Sequence, residues 1–455
     1  MTSTDSPKAK AVSSGGIFRA VLVLVSGTAV AHGLTALALP VLSRLYSPGD
    51  FGLLAVFSST MSIVAAAACL RYDVAVSMPE HDEDAWHLLV LALLCALAVA
   101  AALAIAIALC PVAIANSLGQ ASLRDHLWLL PIGVLMSGAY STLQAWTLRH
   151  KQFTLLARTR VAQSVLASGS QIGLGFAAAG PVGLLAGQVM NSGIASLSLG
   201  LLAMRQRAVV SWARLKRVAY EYRRFPQYST GEALANSASS QLPIIVIAAL
   251  ATPAEAGYLM MAIYVMQAPM ALIGAAITQV YLSRAPEEHR QGTLGAFTTE
   301  IIGNLIKTGV GPLVAAGMLS PFLFGLAFGT GWERAGWLVT LMTPWFVLQF
   351  LAAPVSMALH VTGHQRLALV LQLLGLLARV GAVLVAAHVI HGGISAAYAV
   401  SGAFFYLAYL AAVLHAVGVP AIAIGRKLRN AMPTVLIWIL GAGAALLAIR
   451  AGQSI

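Results

Sequence analysis

The chain has 455 residues, 59% of them hydrophobic and only 9% charged, with a mean hydropathy of +0.84. Soluble domains carry about 25% charged residues, so a water-covered surface is excluded and the main solvent must be lipid. The net charge of +12 does not point to nucleic acid, because the cations sit in short segments between apolar runs rather than in a patch or stripe.

The chain opens on a polar stretch, MTSTDSPKAK, and residues 1–16 read as a cytoplasmic tail. A spanning helix needs about 20 apolar residues. Candidate spans follow at 17–43, 51–77, 86–112, 127–148, 153–178, 181–204, 227–250, 255–281, 298–328, 335–361, 366–390, 393–418 and 431–449. The first is too long for a signal-peptide core, and many similar spans follow it. The last, AMPTVLIWILGAGAALLAI, is apolar enough to span but also suits the interface, so the count is twelve or thirteen. The longest basic stretch, RQRAVVSWARLKRVAYEYRRFP, follows span six and divides the chain. The expected organisation is a six-helix lobe over 17–204, a basic linker over 205–226, a second six-helix lobe over 227–418, and a segment 419–455 holding the thirteenth helix.

Lys and Arg separate by side. One side carries Lys8, Lys10, Arg19, Arg149, Lys151, Arg158, Arg160, seven linker cations, Arg284, Arg290, Arg366, Arg426, Lys427 and Arg429. The other carries Arg44, Arg124, Arg334 and Arg450. This asymmetry puts the N-terminus and the linker in the cytoplasm. The linker's plainer role is to anchor on anionic membrane lipid.

A phrase repeats. SPGDFGLL at 47–54 joins spans one and two, and TPAEAGYL at 252–259 joins spans seven and eight. Both read Pro-x-acid-x-Gly: Pro48, Asp50 and Gly52, then Pro253, Glu255 and Gly257. Proline stops the incoming helix, the acid favours the next helix start, and glycine allows close helix approach. Six spans is an even number, so both turns lie on one face. The repeat predicts two parallel six-helix halves around a central pathway, a common transporter plan.

The wording resembles a known family. PVLSRLYSPGDFGLLAVFSS, RYDVAVSMPEHDEDAWHLL, RRFPQYSTGEALANSASSQLPIIV, MQAPMALIGAAITQVYLSRA and FLFGLAFGTGWERAGWLVTLMTPWFVLQFLAAPVS, in that order, resemble bacterial polysaccharide flippases. These are the Wzx-type proteins of the multidrug/oligosaccharidyl-lipid/polysaccharide exporter superfamily. The resemblance runs from about residue 22 to 418, with departures at the thirteenth span and at TGEALANS. It implies an all-α polytopic fold in the bacterial inner membrane, with two lobes alternating access to a central cavity. It also implies an undecaprenyl-pyrophosphate-linked oligosaccharide as cargo, with a polysaccharide polymerase and chain-length proteins as partners.

Charges and amides inside spans mark candidate cavity walls. Glu300, Asn304 and Lys307 share a helical face in span nine. So do Glu232, Asn236, Ser239 and Ser240 in span seven, and Gln372, Gly375 and Arg379 in span eleven. Arg160, Ser164, Ser168 and Gln171 align in span five, and Gln188, Asn191 and Ser192 in span six. Lys307 and Arg379 are the expected cationic pair for pyrophosphate, arginine being suited to two-point phosphate contacts. The plainer reading of the amides and hydroxyls is interhelical hydrogen bonding. Arg71, in RYD at the end of span two, is either a cavity cation or a snorkelling one. Glu232 is the candidate for a coupling proton or sodium, or an exposed residue at a helix start; no residue pattern names the ion.

The acidic run Glu80, Asp82, Glu83 and Asp84 reads as a solvated loop. His360 and His364, like His388 and His391, lack a nearby carboxylate, so no metal site is expected. Cys69, Cys95 and Cys110 offer no disulfide framework. There is no P-loop, HExxH or GxSxG, so the chain reads as a transporter rather than an enzyme. The alternatives are a multidrug/cation antiporter, which needs deep carboxylates and an aromatic cavity that 7% aromatic content does not promise, and a lipid II flippase, which typically has fourteen helices. A glycan polymerase or ligase needs a long outer loop, and none of the expected loops is long.

Overall fold

A computed structural model describes residues 14–204, 209–389 and 393–453. Most of the expected tail, Arg205 and Arg207 of the linker, and His391 lie outside them. The described residues form an all-helical bundle.

The N-terminal half runs α1 (Ser14–Leu45), α2 (Pro48–Ala68), a short α3 (Tyr72–Ala75), α4 (Asp82–Leu109), a short α5 (Pro111–Ser117), α6 (Leu129–Arg149), α7 (Phe153–Phe176) and α8 (Val182–Ala203). A linker helix, α9 (Trp212–Glu221), leads to α10 (Thr230–Leu250) and α11 (Pro253–Arg290). Then come α12 (Leu294–Leu305), a π turn (Ile306–Val310), α13 (Gly311–Phe328) and α14 (Glu333–Ala352). The chain closes with a short α15 (Ala358–Val361), α16 (Gln365–Val389), α17 (Ile394–Ala416) and α18 (Ala421–Gln453). Among the described residues, ten helical stretches are long and apolar enough to cross a membrane. The other three expected spans, α6, α7 and α11, are also helices of sufficient length, with more polar sequences. The chain is a multi-pass membrane protein.

Several boundaries differ from the sequence reading, each for a local reason. Span two stops at Ala68, where Leu70 and Arg71 take positive φ values of 46° and 62°, so Arg71 sits on a break. The expected span 335–361 divides before α15, where Pro354 cannot donate to the helix ladder. Helix α11 continues to Arg290 rather than stopping near 281, and its last turns carry the Arg284–Glu288 and Arg290–Glu287 pairs at helical spacing. The thirteenth segment is one 33-residue helix packed along α12, the π turn and α13, which places it upright in the bundle rather than flat on the interface.

The two repeated turns begin their helices in different ways. Pro48 and Pro253 each stand at the first helical position, so the prolines open the outgoing helices. Asp50 completes a capping box: its carboxylate accepts from the Ser47 backbone N–H at 2.9 Å, and its own N–H donates to Ser47 Oγ at 3.2 Å. Glu255 makes no such cap. It accepts from Arg334 at 2.9 Å and from Ser395 Oγ at 2.7 Å, tying α11 to α14 and α17.

The acidic run is not a free loop. Asp82, Glu83 and Asp84 form the first turn of α4, where the helix dipole favours them. Asp82 pairs with Arg149 at 2.9 Å, Glu83 with Arg214 and Asp84 with Arg217. His87 Nε2 accepts from the Ser211 N–H at 3.1 Å. Two of the linker's cations therefore clamp α9 onto α4, while Leu215 and Val218 supply its buried face.

Candidate functional site

The halves meet along α2, which packs against both α10 and α11. The repeated phrase makes this possible. The Pro253 carbonyl occupies the space a side chain on Gly52 would need, and the Pro48 carbonyl occupies that space at Gly257. The two turns thus face each other with reciprocal contacts. Trp332 adds to the closure: its Nε1 donates to the Ser43 carbonyl at 3.0 Å and its ring packs edge-on against Phe51 at 4.9 Å. Deeper in, Ser59 Oγ donates to Gln241 at 3.0 Å and Ser237 Oγ to the Ser62 carbonyl at 3.1 Å.

Beneath the joined turns lies a cavity of about 240 Å³, walled by α2, α8, α10, α11, α14, α16 and α17. Its polar lining is chiefly hydroxyl and amide, including Ser59, Gln188, Gln241, Gln267 and Gln349. Trp345, Phe346, Tyr264, Tyr398 and Tyr406 add an aromatic wall. Among the described residues that line it, Arg379 alone is charged.

Arg379 is held by its neighbours. It is 5% exposed, its Nε donates to the Gly375 carbonyl at 3.0 Å, and its guanidinium lies 4.7 Å over the Phe405 ring. Phe405 fills the space beside Gly375 that any side chain there would need. Tyr398 meets Trp345 edge-on at 4.9 Å, and Tyr406 stacks on it at 6.4 Å. Trp345 Nε1 is buried without a hydrogen-bond partner. Among the described residues no carboxylate pairs with Arg379. The arrangement can hold an anionic group against the cation, and sugar-like hydroxyls against amides and ring faces.

The other expected site residues are dispersed. Gln372 donates to Ser239 Oγ at 2.6 Å and to Asn236 Oδ1 at 3.3 Å, which is the interhelical bonding of the plainer reading. Glu232 is exposed on the first turn of α10. Arg160 donates to Thr28 Oγ1, joining α7 to α1 away from the cavity. Arg71 stands on the α2–α3 break with Nε buried and unpartnered, beside a buried Asp73 that accepts from Ser141. Glu300 and Asn304 line a separate groove against α18, and Lys307 is exposed on the π turn. The structure does not bring Lys307 to Arg379.

Sequence reasoning missed Gln241, Gln267 and Gln349, although glutamines in mid-span carry the same signal as the amides it chose. It also discounted an aromatic cavity on bulk composition. The aromatics are few, but the fold gathers Tyr264, Trp345, Phe346, Tyr398 and Tyr406 at one place.

The fold is that of membrane transporters. It is similar to the lipid II flippase MurJ in an inward closed conformation, with a TM-score of 0.75 and 12% identity over 92% of this chain and 93% of that one. It is also similar to an inward-facing multidrug resistance MATE family transporter of the MOP superfamily, with a TM-score of 0.61 and 15% identity over 88% and 98% of the two chains. A MOP superfamily transporter from Pyrococcus furiosus matches with a TM-score of 0.51 and 14% identity over 88% and 96%. No curated protein matches the chain. The particular family follows from the sequence: residues 41–335 match the family described as polysaccharide biosynthesis protein, and the chain belongs to it.

Proposed function

We propose that this protein flips an undecaprenyl-pyrophosphate-linked oligosaccharide across the bacterial inner membrane for surface polysaccharide assembly. The observation that carries the reading is Arg379, a buried cation with no carboxylate partner among the described residues, facing a cavity of amides, hydroxyls and aromatic rings. An unpaired cation within the bilayer costs about 3 kcal/mol on insertion scales, and a passing pyrophosphate offsets that cost. Trp345, Tyr398 and Tyr406 then serve as platforms for sugar rings.

The cavity of about 240 Å³ is below the range of roughly 300–1,000 Å³ usual for small-molecule sites. Cargo therefore enters only when α2 parts from α10 and α11. In this reading the lobes 17–204 and 227–418 rock about that contact, with the tail and linker in the cytoplasm.

The test is surface glycan in a strain that depends on each variant, with membrane protein level as control. Arg379→Ala abolishes export at normal abundance, and Arg379→Lys restores part of it, because lysine lacks the planar two-point contact. Full export by Arg379→Ala overturns the reading. The likeness to MurJ favours lipid II as the second reading; rescue of a lipid II flippase-deficient strain, with surface polysaccharide unaffected by loss of the gene, would select it.

A further inference from the structure

The groove that holds Glu300 and Asn304 shares no residue with the central cavity. It measures about 750 Å³ and lies between the start of α12, the α17–α18 connection and α18, and Lys427 of α18 also lines it. We propose that it binds the headgroup of a zwitterionic phospholipid with a primary amine, the phosphatidylethanolamine class.

The chemistry is that of two neighbouring opposite charges that do not pair with each other. Glu300 and Lys427 both line the groove, yet among the described residues neither has an ion-pair partner. A place on Gly303 for a Cβ would lie 2.9 Å from Lys427 Cδ, so the lysine stem lies flat across a bare stretch of α12. The ammonium is thereby held beside α12, within a turn of Glu300 on that helix, yet the two do not pair. A phosphate beside Lys427 and a primary ammonium beside Glu300 satisfy both at once.

Depth agrees with this assignment. Glu300 is six residues past the start of α12, and Lys427 six past the start of α18. Both therefore lie about 9 Å along their helices, comparable to the roughly 7 Å headgroup layer on each side of a bilayer. Asn304 lies one turn farther along α12, where its amide can donate to a glycerol-ester carbonyl of a lipid so held. Farther along α18, Ile437 and Leu440 are exposed and offer an apolar surface to acyl chains.

Headgroup chemistry discriminates the occupants. A choline headgroup carries a charge but no N–H to give Glu300. A glycerol headgroup has no cation, and its net negative charge meets the carboxylate.

The experiment is native mass spectrometry of the intact protein in micelles with equimolar phosphatidylethanolamine, phosphatidylcholine and phosphatidylglycerol. The wild type retains phosphatidylethanolamine about tenfold over phosphatidylcholine, the equivalent of one charge-assisted bond. Glu300→Gln removes that preference, and Lys427→Gln lowers retention of all three. Equal retention of the amine and choline lipids by the wild type overturns the proposal without any variant needing to fold. So does a preference for phosphatidylglycerol, or an amine preference that survives Glu300→Gln. None of these outcomes bears on the central cavity.

Discussion

Replacing Gly257 with alanine puts a methyl group where two backbones already touch. A Cβ there would stand 2.8 Å from the Gly52 nitrogen and 3.0 Å from the Pro48 carbonyl carbon, with the oxygen nearer still. Carbon contacts settle at about 3.5–4.0 Å, so α2 and α11 must separate by roughly 0.5–1 Å or more. No flexible side chain can yield in their place. Overpacking of this kind costs about 1–3 kcal/mol, a shift of roughly 5- to 150-fold in a two-state equilibrium. Because the contact joins the two halves, the cost falls on the state in which the turns meet. Gly52→Ala acts on the same contact from the other side, where a Cβ would lie 2.9 Å from the Pro253 carbonyl carbon. One displacement relieves both clashes, so the double variant costs less than the sum of the singles. The assay is labelling of Ser240→Cys in the cavity by an impermeant maleimide applied to each membrane face in turn, in a background lacking Cys69, Cys95 and Cys110. Each alanine variant raises labelling from the turn-bearing face and lowers the melting temperature. Unchanged labelling and melting in both, at normal abundance, refutes the claim that the repeated turns hold the halves together.

Phe405→Leu removes the ring under Arg379, whose cation–π contact is worth about 0.5–2 kcal/mol. Glycan export falls several-fold with Phe405→Leu and is kept by Phe405→Tyr, which leaves a ring face under the cation; equal losses in the two would refute the role of the ring. Asp84→Arg places two cations at the linker clamp and lowers the melting temperature. Adding Arg217→Asp restores it, and the recovered pair is worth only about 0.2–1 kcal/mol, because the Arg217 side chain is 56% exposed. Glu255→Gln removes the Arg334 ion pair but keeps an acceptor for Ser395, so the melting temperature moves less than with Glu255→Ala; equal losses would assign the effect to the charge alone.

The bundle was legible because each helix must satisfy its own backbone in lipid, which makes long apolar runs plain in the sequence. The repeat was legible because Pro48 and Pro253, with Gly52 and Gly257, recur at matching turns. Their mutual contact was not, since spacing along a chain does not say which turns meet in space. Arg379 stood out as a cation in an apolar run. Lys307 stood out for the same reason, but it is exposed on the π turn. The amides of α10 and α16 divide by depth: Gln241 reaches the cavity, while Asn236 and Gln372 bond to each other, a distinction that helical periodicity alone does not make. The acidic run reads as solvated loop in the sequence because its partners, Arg149, Arg214 and Arg217, are remote along the chain.

The proposed transport moves a lipid-linked sugar past Arg379. The direct measurement is leaflet exchange of a fluorescent undecaprenyl-pyrophosphate oligosaccharide in vesicles containing the purified protein, with uptake of an organic cation measured in parallel. The wild type is expected to accelerate glycolipid exchange, Arg379→Ala to return it to the rate of empty vesicles, and the cation not to be taken up. Cation uptake without glycolipid exchange, or exchange undiminished in Arg379→Ala, contradicts the proposed transport.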